Sequence, residues 1–135
     1  MKRTFEYIMF DLDGTLTEPY EGITKSFQYA LKAYGINVNQ SDLLPVIGPP
    51  LIDSFCSMFG FDEKTGWEAV KKYRERFESI GWRENSLIDG VPDMLDALKC
   101  RGRKIALATS KPFVFADKII KEYKIDKYFD VAVGA

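Results

Sequence analysis

Apolar residues fall into two kinds of pattern along the chain, and the change between them divides it. Residues 5–10, FEYIMF, form a short aromatic and apolar run that predicts a buried strand. From about 22 to 34, Ile23, Phe27, Ala30, Leu31 and Tyr34 recur at helical spacing, and Gly35 supplies a stop. The GPP at 48–50 predicts the opening of a second helix, because proline is tolerated in a first turn. Leu51, Phe55, Met58 and Phe59 follow before Gly60. Residues 62–81 predict a third helix, with Asp62 as its N-cap and Trp67, Val70, Tyr73, Phe77 and Ile80 on one face.

After Gly81 the pattern changes. Residues 89–102, DGVPDMLDALKCRG, predict a helix that runs into KIALAT, a second buried strand. KPFVFADKIIKEY predicts a helix with Pro112 at its start, and YFDVAVG a third strand. Strand, helix, strand, helix, strand implies a parallel sheet with crossover helices. The helical stretch between the first strand and this run reads as an insertion. The expected architecture is α/β: a Rossmann-like parallel-sheet core, incomplete with three strands, interrupted by an all-helical cap. The core is expected over residues 1–16 and 85–135, the cap over 17–84.

Composition narrows the chemistry. The 135 residues are enough to bury roughly two thirds of the unfolded surface. A net charge of −1 with no basic run provides no electrostatic footprint for nucleic acid. Nothing approaches the roughly 18 apolar residues that span a bilayer. Asp11 and Asp13 interrupt the basic-led opening, MKRTFEYIMF, before a secretory apolar region forms. Cys56 and Cys100 lack metal-ligand or CxxC spacing and sit in apolar-periodic stretches. They are expected to be buried free thiols, which suits a reducing cytoplasm. Histidine is absent, which removes imidazole nucleophiles, relays and zinc sites. Chemistry must rest on carboxylates, hydroxyls, lysines and a hard metal ion.

The acidic pair closing the first strand is the strongest candidate. Asp11 and Asp13 are one residue apart, so in extended chain both side chains point the same way. They lie beyond a strand's C-terminal end, where open α/β sheets bind ligands. Gly14 lets the backbone turn sharply there. Their mutual repulsion is resolved most simply by Mg²⁺, which takes one or two carboxylates with phosphate oxygens and water. The other reading is structural, since Asp-Gly is a common turn pair and Asp a common N-cap. A second site is KIALATSKP at 104–112, where Thr109 and Ser110 end a strand just before a helix. Free backbone N–H groups there favour an anion, a Thr109 hydroxyl can donate to a phosphate oxygen, and Lys111 adds charge. Alternatively Thr109 or Ser110 only caps the helix.

At these residues the chain resembles the haloacid dehalogenase-like phosphatases. The likeness rests on Asp11-Leu12-Asp13-Gly14-Thr15 after an apolar strand, Ile105 to Thr109 as a strand ending in threonine, and a helical insertion between them. IGPPLIDSF, DGVPDMLDALK and ATSKP further resemble the phosphoglycolate phosphatase-like branch. The resemblance implies two-step phosphoryl transfer with Asp11 as nucleophile and Asp13 as general acid and base. It implies Mg²⁺ on the Asp11 carboxylate and the Asp13 backbone carbonyl. Thr109 would hold phosphate, assisted by backbone N–H groups of Leu12 and Ser110, and Lys111 is a further phosphate-binding candidate. Gly48 in the cap is a substrate-contact candidate, or else only shapes its loop. Glu18, Tyr20 and Lys25 are weaker candidates near the first hinge, against a reading as solvated surface.

The implied substrate is a small phosphorylated metabolite: phosphoglycolate, a nucleotide monophosphate or a sugar phosphate. Neither nucleic acid nor membrane is an expected partner, and oligomeric state is not legible. The family's third motif, a lysine, and fourth, acidic metal ligands, lie downstream of the third strand, and the sequence ends at Ala135 before them. The expectation is a truncated chain of impaired activity whose longer parent is the enzyme. The alternatives are a phosphomutase on the same scaffold, a non-catalytic binding fragment, and a phosphoacceptor signalling domain. The last is disfavoured because Asp53 sits in an amphipathic helix rather than at a strand end.

Overall fold

The computed structural model describes residues 4–135; the basic opening residues 1–3 lie outside the described residues. The chain forms two compact units. One contains the chain up to Glu18 together with Ser86–Ala135, the other Pro19–Asn85.

The first unit is built on β1 (Tyr7–Phe10), β4 (Lys104–Ala108) and β5 (Val131–Val133), a parallel sheet in the order β1-β4-β5. Register is set by Ile8 beside Ile105 and Phe10 beside Leu107, and by Leu107 beside Ala132. Helix α4 (Val91–Cys100) leads into β4, and α5 (Phe113–Glu122) connects β4 to β5. Val91 and Leu95 of α4 and Ala116, Ile119 and Ile120 of α5 are buried, as are Ile105 and Leu107 of β4. Successive crossovers in one direction place both helices on one sheet face. A small second sheet pairs β2 (Thr17–Glu18) antiparallel with β3 (Ser86–Leu87). Because Glu18 lies beside Ser86, the chain leaves and re-enters this unit at adjacent points.

The second unit is helical: α1 (Tyr20–Lys32), a 3-10 segment Gln40–Val46, α2 (Leu51–Phe59), α3 (Glu63–Ser79) and a short 3-10 turn Gly81–Arg83. Asp62 caps α3, its side chain accepting the Thr65 N–H at 2.7 Å. The core gathers Phe27, Phe55 and Tyr73, with Phe27 4.7 Å from Phe55 and 5.2 Å from Tyr73 between ring centroids. Gly22 and Gly81 let α1 and the 3-10 turn touch backbone to backbone, since a β-carbon on Gly22 would collide with the Gly81 carbonyl. Glu84 is tied to this unit by a bidentate pair with Arg76, 2.6 and 3.1 Å, and Arg76 also donates to the Ser26 hydroxyl at 3.3 Å.

Three expectations about burial need correction. The first strand is only half covered: Phe5, Tyr7 and Met9 are 70, 72 and 72% exposed. Residues 7–10 are apolar on both sides, but β1 is an edge strand of the three-stranded sheet and only its Ile8 and Phe10 side is partly covered. On α3, Val70, Tyr73 and Phe77 are buried while Trp67 and Ile80 are exposed, because they fall at the margins of the packed stripe. The cysteines are free, but Cys100 is exposed and Cys56 only half buried. Cys100 ends α4 on its solvent side, where its thiol lies 3.9 Å from Asp96. The 3-10 segment and the two-residue strands β2 and β3 carry no periodic pattern, so they were not anticipated.

Candidate active site at the strand ends

The β1 strand ends at Phe10, and the turn that follows is organised by one buried residue. Leu12 has no exposed surface, and its carbonyl accepts the N–H groups of Thr15, Leu16 and Thr17 at 3.1, 2.9 and 3.1 Å. The buried Thr17 hydroxyl adds a longer contact at 3.4 Å. The Gly14 N–H donates to the Thr17 carbonyl at 2.7 Å, and Gly14 sits at φ +75°, where a side chain would be strained. The loop is thereby closed on itself, and it presents Asp11 and Asp13 beyond the strand. Asp11 is exposed, and its Oδ1 accepts the Leu12 N–H at 2.7 Å.

The neighbouring strand delivers the second loop to the same edge. Phe10 lies beside Leu107, so Asp11 and Thr109 emerge at the C-terminal ends of paired strands. Residues 109–113 are fastened to the end of β5 and the residues after it by three backbone bonds. The Thr109 N–H donates to Val133 at 3.1 Å, the Ala135 N–H to Lys111 at 3.1 Å, and the Phe113 N–H to Ala135 at 3.0 Å. Within the loop the Thr109 hydroxyl accepts the Lys111 N–H at 3.1 Å, a local turn that orders the residues ahead of α5. Ser110 is exposed.

Lys111 joins the two loops. Its ammonium lies 3.0 Å from Asp13 Oδ2, and its side chain keeps only 7% of its surface exposed. Asp13 Oδ1 is buried and has no hydrogen-bond partner among the described residues. Of the anticipated residues, the structure brings together Asp11, Leu12, Asp13, Thr109, Ser110 and Lys111 at one sheet edge. Gly48 lies in the helical unit, exposed and at φ +114°. Lys25 is engaged elsewhere, 2.7 Å from Glu21 and 3.6 Å from Glu84.

Two features of the site were not anticipated. The pairing of Lys111 with Asp13 has no sequence signal, since the residues belong to separate loops far apart in the chain. Gly134 allows the three backbone bonds above: a β-carbon there would stand 2.6 Å from the Lys111 carbonyl oxygen. A glycine directly after a strand is the available clue to such an approach.

The donor set suits a hard divalent cation. No cluster of three or more acidic or cysteine side chains is present among the described residues. Mg²⁺ needs only one or two carboxylates, with water and phosphate oxygens completing its shell. The exposed Asp11 carboxylate, one oxygen of which is ordered by the Leu12 N–H, offers such an ion an oxygen ligand at the strand end. The residues fit Mg²⁺.

A parallel sheet with polar loops gathered at the C-terminal strand ends defines an α/β protein with its binding edge there. Within that class the chain belongs to the haloacid dehalogenase-like hydrolase family, which it matches over residues 8–135. It is 49% identical over 131 residues to a 5'-nucleotidase of Pseudomonas aeruginosa, covering 95% of this chain and 58% of that protein. It is 38% identical over 131 residues to the tyrosine-protein kinase PtkA of Mycobacterium tuberculosis, covering 96% of this chain and 44% of that protein. The crystal structure of a predicted phosphatase from Clostridium acetobutylicum superposes with a TM-score of 0.92 at 43% identity, covering 98% of this chain and 62% of that one. The chain therefore spans 44–62% of the length of these relatives.

Proposed function

We propose that the protein is a Mg²⁺-dependent phosphatase of small phosphate monoesters. The single observation behind this reading is the meeting of two carboxylates and a threonine-lysine loop at the ends of paired parallel strands, with Lys111 3.0 Å from Asp13. Asp11 is exposed and acts as the nucleophile, its carboxylate oxygen attacking phosphorus as the bond to the leaving oxygen breaks. Asp13 gives the leaving oxygen its proton, then takes one from the water that attacks the aspartyl-phosphate and frees Asp11. Thr109 and the backbone of Ser110 hold the phosphate oxygens at the start of α5. Mg²⁺, held by Asp11 and Asp13, would supply positive charge between phosphate and carboxylate. The Pro19–Asn85 unit corresponds to the helical cap, and Gly48 is its candidate for substrate contact.

The likeness to a 5'-nucleotidase favours nucleoside monophosphates over phosphoglycolate and sugar phosphates. The likeness to PtkA supports a second reading, phosphoryl transfer to protein tyrosine. Two free cysteines are consistent with a cytoplasmic enzyme. Among the described residues no helix is long and apolar enough to cross a membrane.

The test is phosphate release by the full-length protein from a panel of the three ester classes, beside Asp11→Asn and beside a tyrosine-labelling assay with Mg-ATP. Release from at least one ester, abolished in Asp11→Asn, is expected. Hydrolysis unchanged by the substitution overturns the mechanism, and tyrosine labelling without hydrolysis replaces it with the second reading.

A further inference from the structure

The Lys111 ammonium could serve an incoming phosphate or Asp13. The structure directs its ammonium to Asp13 Oδ2 at 3.0 Å, from a side chain almost wholly withdrawn from water. The loop that carries it has little freedom to re-aim it. Backbone bonds at Thr109, Lys111 and Phe113 tie that loop to residues 133–135, and the Thr109 hydroxyl holds the Lys111 N–H.

We propose that Lys111 is the positioning residue for Asp13 rather than a phosphate ligand; this rests on the phosphatase reading above. One carboxylate oxygen is fixed by the ammonium, which sets the plane and rotamer of the group before substrate arrives. A carboxylate held by one charged donor keeps its geometry through the two opposite proton transfers asked of it, whereas a free aspartate samples several rotamers. Misplacement of a reacting group by about 1 Å costs on the order of 100-fold in rate. The cause of any defect at Lys111 is therefore loss of turnover, with substrate affinity maintained.

Steady-state kinetics of the full-length protein with the best ester, and inhibition by inorganic phosphate, decide between the roles. Lys111→Met keeps the length and apolar stem, and is expected to lower kcat by about 10- to 100-fold. KM and the phosphate inhibition constant should stay within about twofold, and Lys111→Arg should recover part of the lost kcat. In an Asp13→Asn background the Met substitution should cost nothing further, because Lys111 acts through Asp13. Lys111→Gln, too short to reach, guards against a packing effect and should resemble Met. A rise in KM and in the phosphate inhibition constant overturns the proposal, as does wild-type kcat in Lys111→Gln or full additivity with Asp13→Asn. Failure of the underlying reading is separate: it shows as hydrolysis that survives Asp11→Asn, whatever Lys111 does.

Discussion

Gly134 runs so close to Lys111 that a β-carbon on it would stand 2.6 Å from the Lys111 carbonyl and 2.8 Å from the Phe113 Cα. Both neighbours are backbone, so neither moves aside cheaply. Gly134 is not among the glycines at positive φ, so what it supplies is space rather than an unusual backbone angle. Gly134→Ala must push the Thr109–Pro112 loop off the end of β5. The expected outcome is a loss of about 1–3 kcal/mol of stability and a lower kcat/KM, with Gly134→Val worse in both. Urea unfolding and steady-state kinetics check this; a silent Gly134→Ala would show the loop to be more compliant than its three backbone bonds imply.

Removal of divalent ions should abolish phosphate release, with Mg²⁺ restoring it. The binding site itself is checked without turnover, by calorimetric Mg²⁺ titration. Asp11→Asn should weaken binding strongly and Asp13→Asn less, because the first removes a charged ligand and the second a formal charge beside a shell with few protein oxygens. Undiminished Mg²⁺ binding in the double substitution would move the metal elsewhere.

The Arg76–Glu84 pair makes the helical unit acid-sensitive. The Arg76 hydrogen bond, opposed by desolvation and helped by the Lys25 charge, holds the Glu84 carboxyl below its ordinary value of 4.5. A carboxyl depressed on folding contributes its stability in full above 4.5, and loses it as pH falls through the lower folded-state value. Thermal stability should therefore decline below pH 4.5 in part through Glu84, and Glu84→Gln should flatten that portion of the profile. Near neutral pH, Arg76→Met is expected to cost roughly 2 kcal/mol, as a half-buried carboxylate and the Ser26 hydroxyl lose a charged donor. A parallel acid profile in Glu84→Gln would remove the pair from the account.

Phe27 and Phe55 pack ring on ring, both without exposed surface, and bring α1 and α2 together with Tyr73 of α3. Phe27→Ala should cost about 3–5 kcal/mol by lost burial and the cavity left behind. Phe27→Leu should cost distinctly less. Differential scanning calorimetry is the check, and equal melting temperatures for Phe27→Ala and wild type would contradict the packing described.

Much of the fold was legible because its signals are local. Helical spacing at Phe27, Ala30 and Leu31 placed α1, and Asp62 announced the start of α3 with the N-cap bond it makes. Three parallel strands followed from the order of apolar runs and intervening helices. Exposure was less legible. Tyr7 and Met9 are as apolar as Ile8 and Phe10, and nothing local distinguishes the sheet side that helices cover from the side they do not. Trp67 and Ile80 were misassigned for a related reason: periodicity gives a helix's apolar stripe, while the neighbours decide how wide a stripe is packed.

At the site, the amino-acid order alone determined that two carboxylates one residue apart would close a strand, and that a threonine-lysine loop would open a helix. The pattern needed only residue type, turn-forming glycine and the termini of regular elements. A parallel order also puts both loops at the same end of one sheet; tertiary structure alone decided that β4 would pair directly with β1 and that Lys111 would reach across to Asp13. Contacts between residues distant in sequence depend on strand pairing and on close backbone approach, as at Gly134, and neither leaves a periodic trace in the chain.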